Sequence, residues 1–285
     1  MKKYFKMANI YFYIKFQISL EWDPYIRHFF VDEIEVPEDV IGYELIVVEK
    51  LPKPKGNVIY KGQNQIIYKH KNGEDRQHFF WLHDDAYMLY HETENRNVIY
   101  FSEKYKHTLK HQYMLFNAIA AEKLFLKYDA MILHSSYIIV DNKAIIFTAP
   151  SGTGKSTQAG LWKKYKNAQI INGDRCLIQK RENGWYACGI PICGSSDICI
   201  NKEAKIKKII YLGQSRENII ENLNPTLAVR KLMSETTVNF WNVNSLDKVI
   251  ELWSDFVQQN TVCNFLCTKD EKSVKVLEKY IGEKG

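Results

Sequence analysis

Nine residues constrain this chain more than any other segment: Ala149-Pro150-Ser151-Gly152-Thr153-Gly154-Lys155-Ser156-Thr157. They follow an apolar run, Ala144 to Thr148, and precede a segment with helical character, Gln158 to Tyr165. A strand that feeds a glycine-rich turn and then a helix N-terminus makes an anion cradle, because the glycines let successive backbone N–H groups converge and the helix dipole favours negative charge. The spacing fits the Walker A pattern with Ala149 in place of the first glycine. Ser151, Gly152, Thr153, Gly154, Lys155, Ser156 and Thr157 are therefore assigned to nucleotide phosphates, with Lys155 bridging the β and γ phosphates and the Ser156 hydroxyl offered to Mg²⁺. ATP with Mg²⁺ is the expected ligand. A glycine turn that merely caps a helix is the alternative.

A phosphate loop does not separate kinases from GTPases or motor ATPases, so a second acidic group matters. Ile170-Ile171-Asn172-Gly173-Asp174 places a carboxylate at the end of a short apolar strand, one helix after Lys155. If the strands flanking that helix are neighbours, Asp174 lies beside the metal; otherwise it is a turn residue. A guanine-reading Asn-Lys-x-Asp motif is absent, since Asn201-Lys202-Glu203-Ala204 lacks the final Asp.

The remaining sequence sets the context. The 39 basic and 33 acidic residues, net +6, are interspersed rather than gathered into a tail, and no basic run carries the stacking aromatics of a nucleic-acid surface. The six cysteines lack Cys-x-x-Cys spacing, which argues for free thiols. The basic start, Met1 to Met7, precedes apolar residues, but Ile10, Phe12, Ile14, Phe16, Ile18 and Leu20 alternate with polar ones, the pattern of a half-buried strand rather than a signal h-region. No stretch approaches membrane-span length, and a cytoplasmic protein is expected. Up to residue 104 the segments are short and strand-like: Tyr43 to Val48, Asn57 to Tyr60, Gln65 to Lys69, His78 to Leu82, Tyr87 to Tyr90 and Val98 to Phe101, with turn formers such as Asp84-Asp85 and Asn95 between them. From Tyr105 a helical period runs to Tyr128 through Leu109, Leu115, Phe116, Ile119, Ala120 and Leu124. This predicts a β-rich unit over 1–104 and an α/β unit over 105–285. Within the latter, Met131 to Val140 and Ala144 to Thr148 read as a hairpin. Later strands are expected at Gln169 to Ile171, Tyr186 to Cys188, Ile209 to Leu212 and Val262 to Leu266, and helices at Pro225 to Glu235, Leu246 to Gln258 and Glu271 to Ile281.

The order Leu133-His134-Ser135-Ser136, hairpin, phosphate loop, then Asn172-Gly173-Asp174-Arg175 resembles the kinase domain of HPr kinase/phosphorylase and its relatives. The segments Gly189 to Ser196 and Leu212 to Asn218 look like parts of HPr-kinase-related proteins, some of which phosphorylate a serine of a ribosomally made peptide. The resemblance spans about residues 105 to 285. It implies an α/β fold of the HPr-kinase/PEP-carboxykinase type with a mixed sheet, preceded by a smaller β-rich domain. It also implies in-line transfer of the γ-phosphoryl group of ATP to a hydroxyl of a peptide, protein or small molecule. One departure is plain: the family carries two adjacent aspartates before an arginine, and this chain has Gly173-Asp174-Arg175. The family's HPr-binding signature is also missing.

On this reading Asp174 is a metal-linked carboxylate and acceptor of the hydroxyl proton, and His134 is the other candidate base. A strand histidine bonded in the core is the alternative for His134. Ser195 and Ser196 either line the acceptor pocket or form a plain turn. Arg175 and Arg230 are either phosphate clamps or surface arginines. The other histidines are assigned no metal, and the aromatic strands of the first unit either recognise the acceptor or form core. No nucleic acid or membrane partner is expected, and the oligomeric state stays open. A nucleotide-binding regulatory protein without turnover is the rival function.

Overall fold

The computed structural model describes residues 1–80, 85–94 and 96–283. The expected strand end at Leu82 and the turn formers Asp84 and Asn95 lie outside the described residues. The chain forms two compact units, Met1–Leu124 and Phe125–Gly285. The division falls later than the change of period at 104: Glu103–Lys110, a 3₁₀ segment, packs on strands of the first unit, and Glu122 and Lys123 form ion pairs with Arg76 and Glu92 of those strands.

The first unit is built on β1 (Lys2–Met7), β2 (Ile10–Phe16), the single turn α1 (Pro24–Arg27), β3 (Phe30–Val31), β4 (Ile41–Val48), β5 (Asn57–Lys61), β6 (Gln65–His70), β7 (Gly73–Phe79), β8 (Ala86–Thr93) and β9 (Arg96–Ser102). Among the described residues these strands make one nine-stranded mixed sheet in the order β3-β1-β2-β4-β9-β8-β7-β6-β5. The alternation in β2 holds: Ile10, Phe12, Ile14 and Phe16 are buried. Met1 to Met7, read only as a basic start, supplies β1, whose Phe5 stacks on Phe12. Phe5, Phe12, Tyr43 and Phe101 are all buried, so these aromatics are core. The single helix expected over 105–128 is broken into the 3₁₀ segment, α2 (Gln112–Ala118) and α3 (Ala121–Leu126). His111 is extended and Ala120 has φ 48°, so neither continues a helix, yet Leu109, Leu115, Phe116, Ile119 and Leu124 are all buried as the period required.

The second unit comprises β10 (Ala130–Val140), β11 (Lys143–Thr148), α4 (Lys155–Lys166), β12 (Gln169–Asn172), β13 (Arg175–Arg181), β14 (Gly184–Cys188), β15 (Glu203–Gln214), β16 (Ile219–Asn222), α5 (Pro225–Glu235), α6 (Val243–Gln259), β17 (Val262–Cys267) and α7 (Glu271–Glu283). β10 and β11 form the expected hairpin. Its turn residues Asp141 and Asn142 both have positive φ, the conformation that matches strand twist. The sheet is mixed: β11 pairs antiparallel with β10 and parallel with β15, and β13 and β14 close the ring between β10 and β15. β10 contributes to a core on each face. Leu133, Tyr137 and Ile139 pack with Leu232 of α5 and Leu252, Trp253 and Phe256 of α6. Ile138 packs with Phe147 of β11, Trp162 of α4 and Leu277 of α7. Burying each large side chain of this kind contributes roughly 1.5–3 kcal/mol.

Local chemistry sets the helix ends. Asn224 caps α5 through Leu227 N–H at 2.9 Å with Pro225 at its first position, and Asn242 caps α6 through Ser245 N–H at 3.1 Å. The Asn242 cap starts α6 at Val243, earlier than the apolar period alone predicts. β13 has no counterpart in the sequence reading, because Cys176 to Gln179 are buried on both faces and show no alternation.

Candidate functional site

The loop 149–154 leaves β11 and enters α4 with Gly152 at φ 79° and Gly154 at φ 114°. Side chains rarely adopt these angles, and a Cβ at either glycine would meet nothing within 4 Å. The two glycines thus bend the backbone around open space. Lys155, 7% exposed, donates from Nζ to the carbonyls of Ala149 at 2.8 Å and Pro150 at 3.3 Å. Burial is the largest influence on its ammonium and pushes the pKa down, opposed by Glu235 and Asp174. Ser156 Oγ donates to Gly173 O at 3.4 Å, and Gln214 Nε2 of β15 donates to the loop carbonyls of Gly152 and Thr153. Gln158, buried one turn into α4, donates to Thr268 O and Ser273 Oγ and anchors the helix to the β17–α7 connection.

The arrangement expected for Asp174 needs correction. β12 does not pair with β11; it pairs antiparallel with β10, Tyr137 lying opposite Asn172. Asp174 nevertheless reaches the loop, because β10 exchanges partners at that point: His134 lies opposite Arg175 in β13, and Ser135 N–H donates to Asp174 O at 3.0 Å. Asn172, fully buried, holds the bend. Its Oδ1 accepts from Asp174 N and Arg175 N, both at 2.9 Å, and its Nδ2 donates to Ile190 O at 2.8 Å and Ile192 O at 2.9 Å.

These elements enclose a cavity of about 290 Å³. The loop side is Ser151, Gly152, Gly154, Lys155, Ser156 and Thr157; the facing wall is His134, Gly173, Asp174, Cys193 and Ser196. His134 sits between two carboxylates, Nε2 at 3.6 Å from Asp174 Oδ1 and Nδ1 at 3.4 Å from Glu235 Oε2. Both distances are longer than well-formed hydrogen bonds, so the coupling is electrostatic. Burial is the main cause that lowers the His134 pKa below its ordinary value; Lys155 and Arg175 act in the same direction, and Asp174 and Glu235 oppose them. Burial and the two cations thus favour the neutral imidazole over the imidazolium.

Other predicted residues are placed differently. Arg175 turns its Nε to Asp174 Oδ2 at 3.2 Å. Thr153 is not part of the cavity lining; its N–H donates to Pro150 O at 3.3 Å and its carbonyl accepts from Gln214 Nε2 at 3.3 Å. Ser196 Oγ donates to Cys193 O at 2.6 Å within the short 3₁₀ turn Gly194–Ser196. The Ser195 side chain lies outside what is described. Arg230 is exposed on α5 and is not part of the cavity wall.

Sequence reasoning missed Glu235, Cys193 and the clamp role of Asn172. Glu235 has no local signal. It ends α5, and the chain just beyond is tied to β10 by a Leu133–Thr236 bridge and by Thr237 N–H to Ile132 O at 2.9 Å, and to α6 by Trp253 Nε1, which donates to Thr236 Oγ1 at 2.9 Å. The local packing also accounts for Gly173. A Cβ there would lie 2.3 Å from Ser196 Oγ, so Ser196 fills the space a side chain at 173 would need.

No family model matches the sequence, and no curated protein matches it. Among solved structures, the HPr(Ser) kinase/phosphatase from Coxiella burnetii is similar at 12% identity over 32% of this chain and 70% of that chain, with a TM-score of 0.25. That likeness carries no argument about function. Among the described residues no helix is long and apolar enough to cross a membrane.

Proposed function

We propose that the second unit binds ATP with Mg²⁺ at the cavity around Lys155 and transfers the γ-phosphoryl group to a hydroxyl acceptor, a serine of a peptide or protein or a small-molecule alcohol. The observation that carries this reading is the convergence on one cavity of the phosphate loop, Lys155, Asp174 and His134, drawn from three separate elements.

The residues fit the groups assigned to them. Gly152 and Gly154 face open space, and the Lys155 ammonium can exchange two loop carbonyls for phosphate oxygens, a charge-assisted contact of greater strength. Ser156 and Asp174 offer the oxygen ligands that Mg²⁺ prefers. When bound, the ion supplies neutralisation of phosphate charge. The neutral His134 imidazole takes the proton of the acceptor hydroxyl, and Asp174 and Glu235, flanking its two nitrogens, stabilise the imidazolium that forms. With Gly173 where the family has a carboxylate, His134 supported by Glu235 is the base this chain provides.

The test compares wild type with Lys155→Ala, using γ-labelled ATP and a panel of serine peptides and small alcohols. Transfer is expected to drop at least ~100-fold in the variant, as when a preorganised charge-stabilising donor is removed. Equal label transfer by both proteins would sink the kinase reading. Tight ATP binding without transfer to any acceptor would favour a regulatory role.

A further inference from the structure

The first unit carries a cluster that phosphoryl transfer does not use. His70 ends β6, Asp75 lies in β7 and His91 lies in β8. The strand register sets Asp75 opposite His91, and the tight β6–β7 turn brings His70 back to the same carboxylate. His70 Nε2 is 3.2 Å and His91 Nδ1 is 2.6 Å from Asp75 Oδ1. The two rings stack with centroids 5.5 Å apart. One nitrogen from each histidine and one carboxylate oxygen all lie within 4.8 Å of one another. The Asp75 side chain is 1% exposed, while His70 and His91 are 12% and 14% exposed, so the carboxylate forms the floor and the imidazoles the rim.

A further hydrogen bond orients this floor. Asp75 Oδ2 accepts the backbone N–H of Lys55 at 2.7 Å, which turns Oδ1 toward the two rings. Metal-ligating carboxylates are held by outer contacts of this kind.

We propose that His70, Asp75 and His91 bind a divalent transition-metal ion of the zinc type. Two imidazole nitrogens with one carboxylate oxygen suit zinc and its neighbours, whereas magnesium and calcium take oxygen ligands throughout. Zinc bonds of about 2.0–2.2 Å put tetrahedral ligand atoms about 3.3 Å apart. The His70 contact already has that spacing, and a small swing of the His91 ring brings the second contact to it. The fourth position opens on the rim. Because the ligands come from three successive strands, the ion cross-links β6, β7 and β8. The rival arrangement, in which Asp75 only accepts an N–H from each ring, predicts no such affinity. All three residues belong to the first unit, so the inference stands apart from the nucleotide cavity of the second.

The test uses the full chain stripped with a chelator and dialysed against micromolar Zn²⁺ without nucleotide, with bound metal measured by mass spectrometry and Co²⁺ absorption as a second readout. One ion per chain is expected. His70→Gln, His91→Gln and Asp75→Asn should each weaken binding by at least ~100-fold, the upper end of what loss of an outer-shell partner alone costs. Zinc should raise the melting temperature of wild type and leave that of the variants unmoved. Wild type that takes up no stoichiometric zinc overturns the proposal, as do folded variants that retain wild-type affinity. Should the variants fail to fold, the wild-type Co²⁺ spectrum decides: nitrogen and oxygen ligation supports the site, and thiolate charge-transfer bands overturn it.

Discussion

Asn172→Asp changes one terminal group and keeps the shape of the side chain, yet it is expected to lower the unfolding temperature of the second unit by roughly 5–15 °C. The carboxylate can still accept from Asp174 N and Arg175 N, but it cannot donate to Ile190 O and Ile192 O, which Nδ2 now serves at 2.8 and 2.9 Å. Each hydrogen bond lost costs about 1 kcal/mol, and a buried carbonyl left unpaired costs about 1–3 kcal/mol. Ile190 is fully buried, while Ile192 is only half-buried and its carbonyl can turn to water, so one full penalty and one lost bond sum to about 2–4 kcal/mol. For a unit of this size, each kcal/mol moves the melting temperature by about 2–4 °C. The introduced carboxyl is buried, so its pKa is raised on folding. The variant then gains stability relative to wild type as pH falls from about 7 toward 4, where the protonated group donates again. Calorimetry of both proteins across that range is the assay. A variant that melts within 2 °C of wild type at neutral pH would refute the clamp, and a deficit that does not shrink on acidification would refute the assignment of Nδ2 as donor.

Gly173→Ala is expected to destabilise the second unit by roughly 1–3 kcal/mol through overlap with Ser196, and Ser196→Gly in the same chain should restore most of it; a double-mutant cycle with no coupling counts against that contact. Because burial and two nearby cations lower the His134 pKa, the acid limb of kcat/KM for the proposed phosphoryl transfer should fall below the ordinary value of 6.5. Glu235→Gln removes a charge that raises that pKa, so its acid limb should move lower still; a limb at or above 6.5 in wild type, or an upward move in the variant, contradicts His134 as base. The same shift has a stability consequence with a definite sign: His134 is favoured neutral in the fold, so its contribution is present above the unfolded pKa and lost as pH falls below it.

Much of this protein is written locally. The glycine loop 149–154 is set mainly by its own glycines, the preceding strand and the following helix, each specified by neighbours in sequence, with Gln214 of β15 as a long-range tie. The β2 alternation, the Asp141–Asn142 turn and the Asn224-Pro225 start of α5 are local in the same sense, set by backbone sterics and by caps within a few residues. Other features depend on contacts distant in sequence. The run Cys176 to Gln179 of β13 carried no period, because all four residues are buried, Cys176 and Ile178 in a core shared with Trp253 and Phe256 far along the chain. Asp174 reached the cavity through a switch of β10 partners rather than through the β11–β12 neighbourhood the sequence implied. Glu235 beside His134, and the His70, Asp75 and His91 cluster, are juxtapositions of side chains whose spacing along the chain has no ligand pattern. The sequence by itself determined which backbone segments turn, cap and cradle, since those depend on interactions within one or two turns of chain. Which titratable groups share a dielectric and a field, and hence which of them can pass a proton or hold an ion, was decided only when the tertiary structure closed the distances between them.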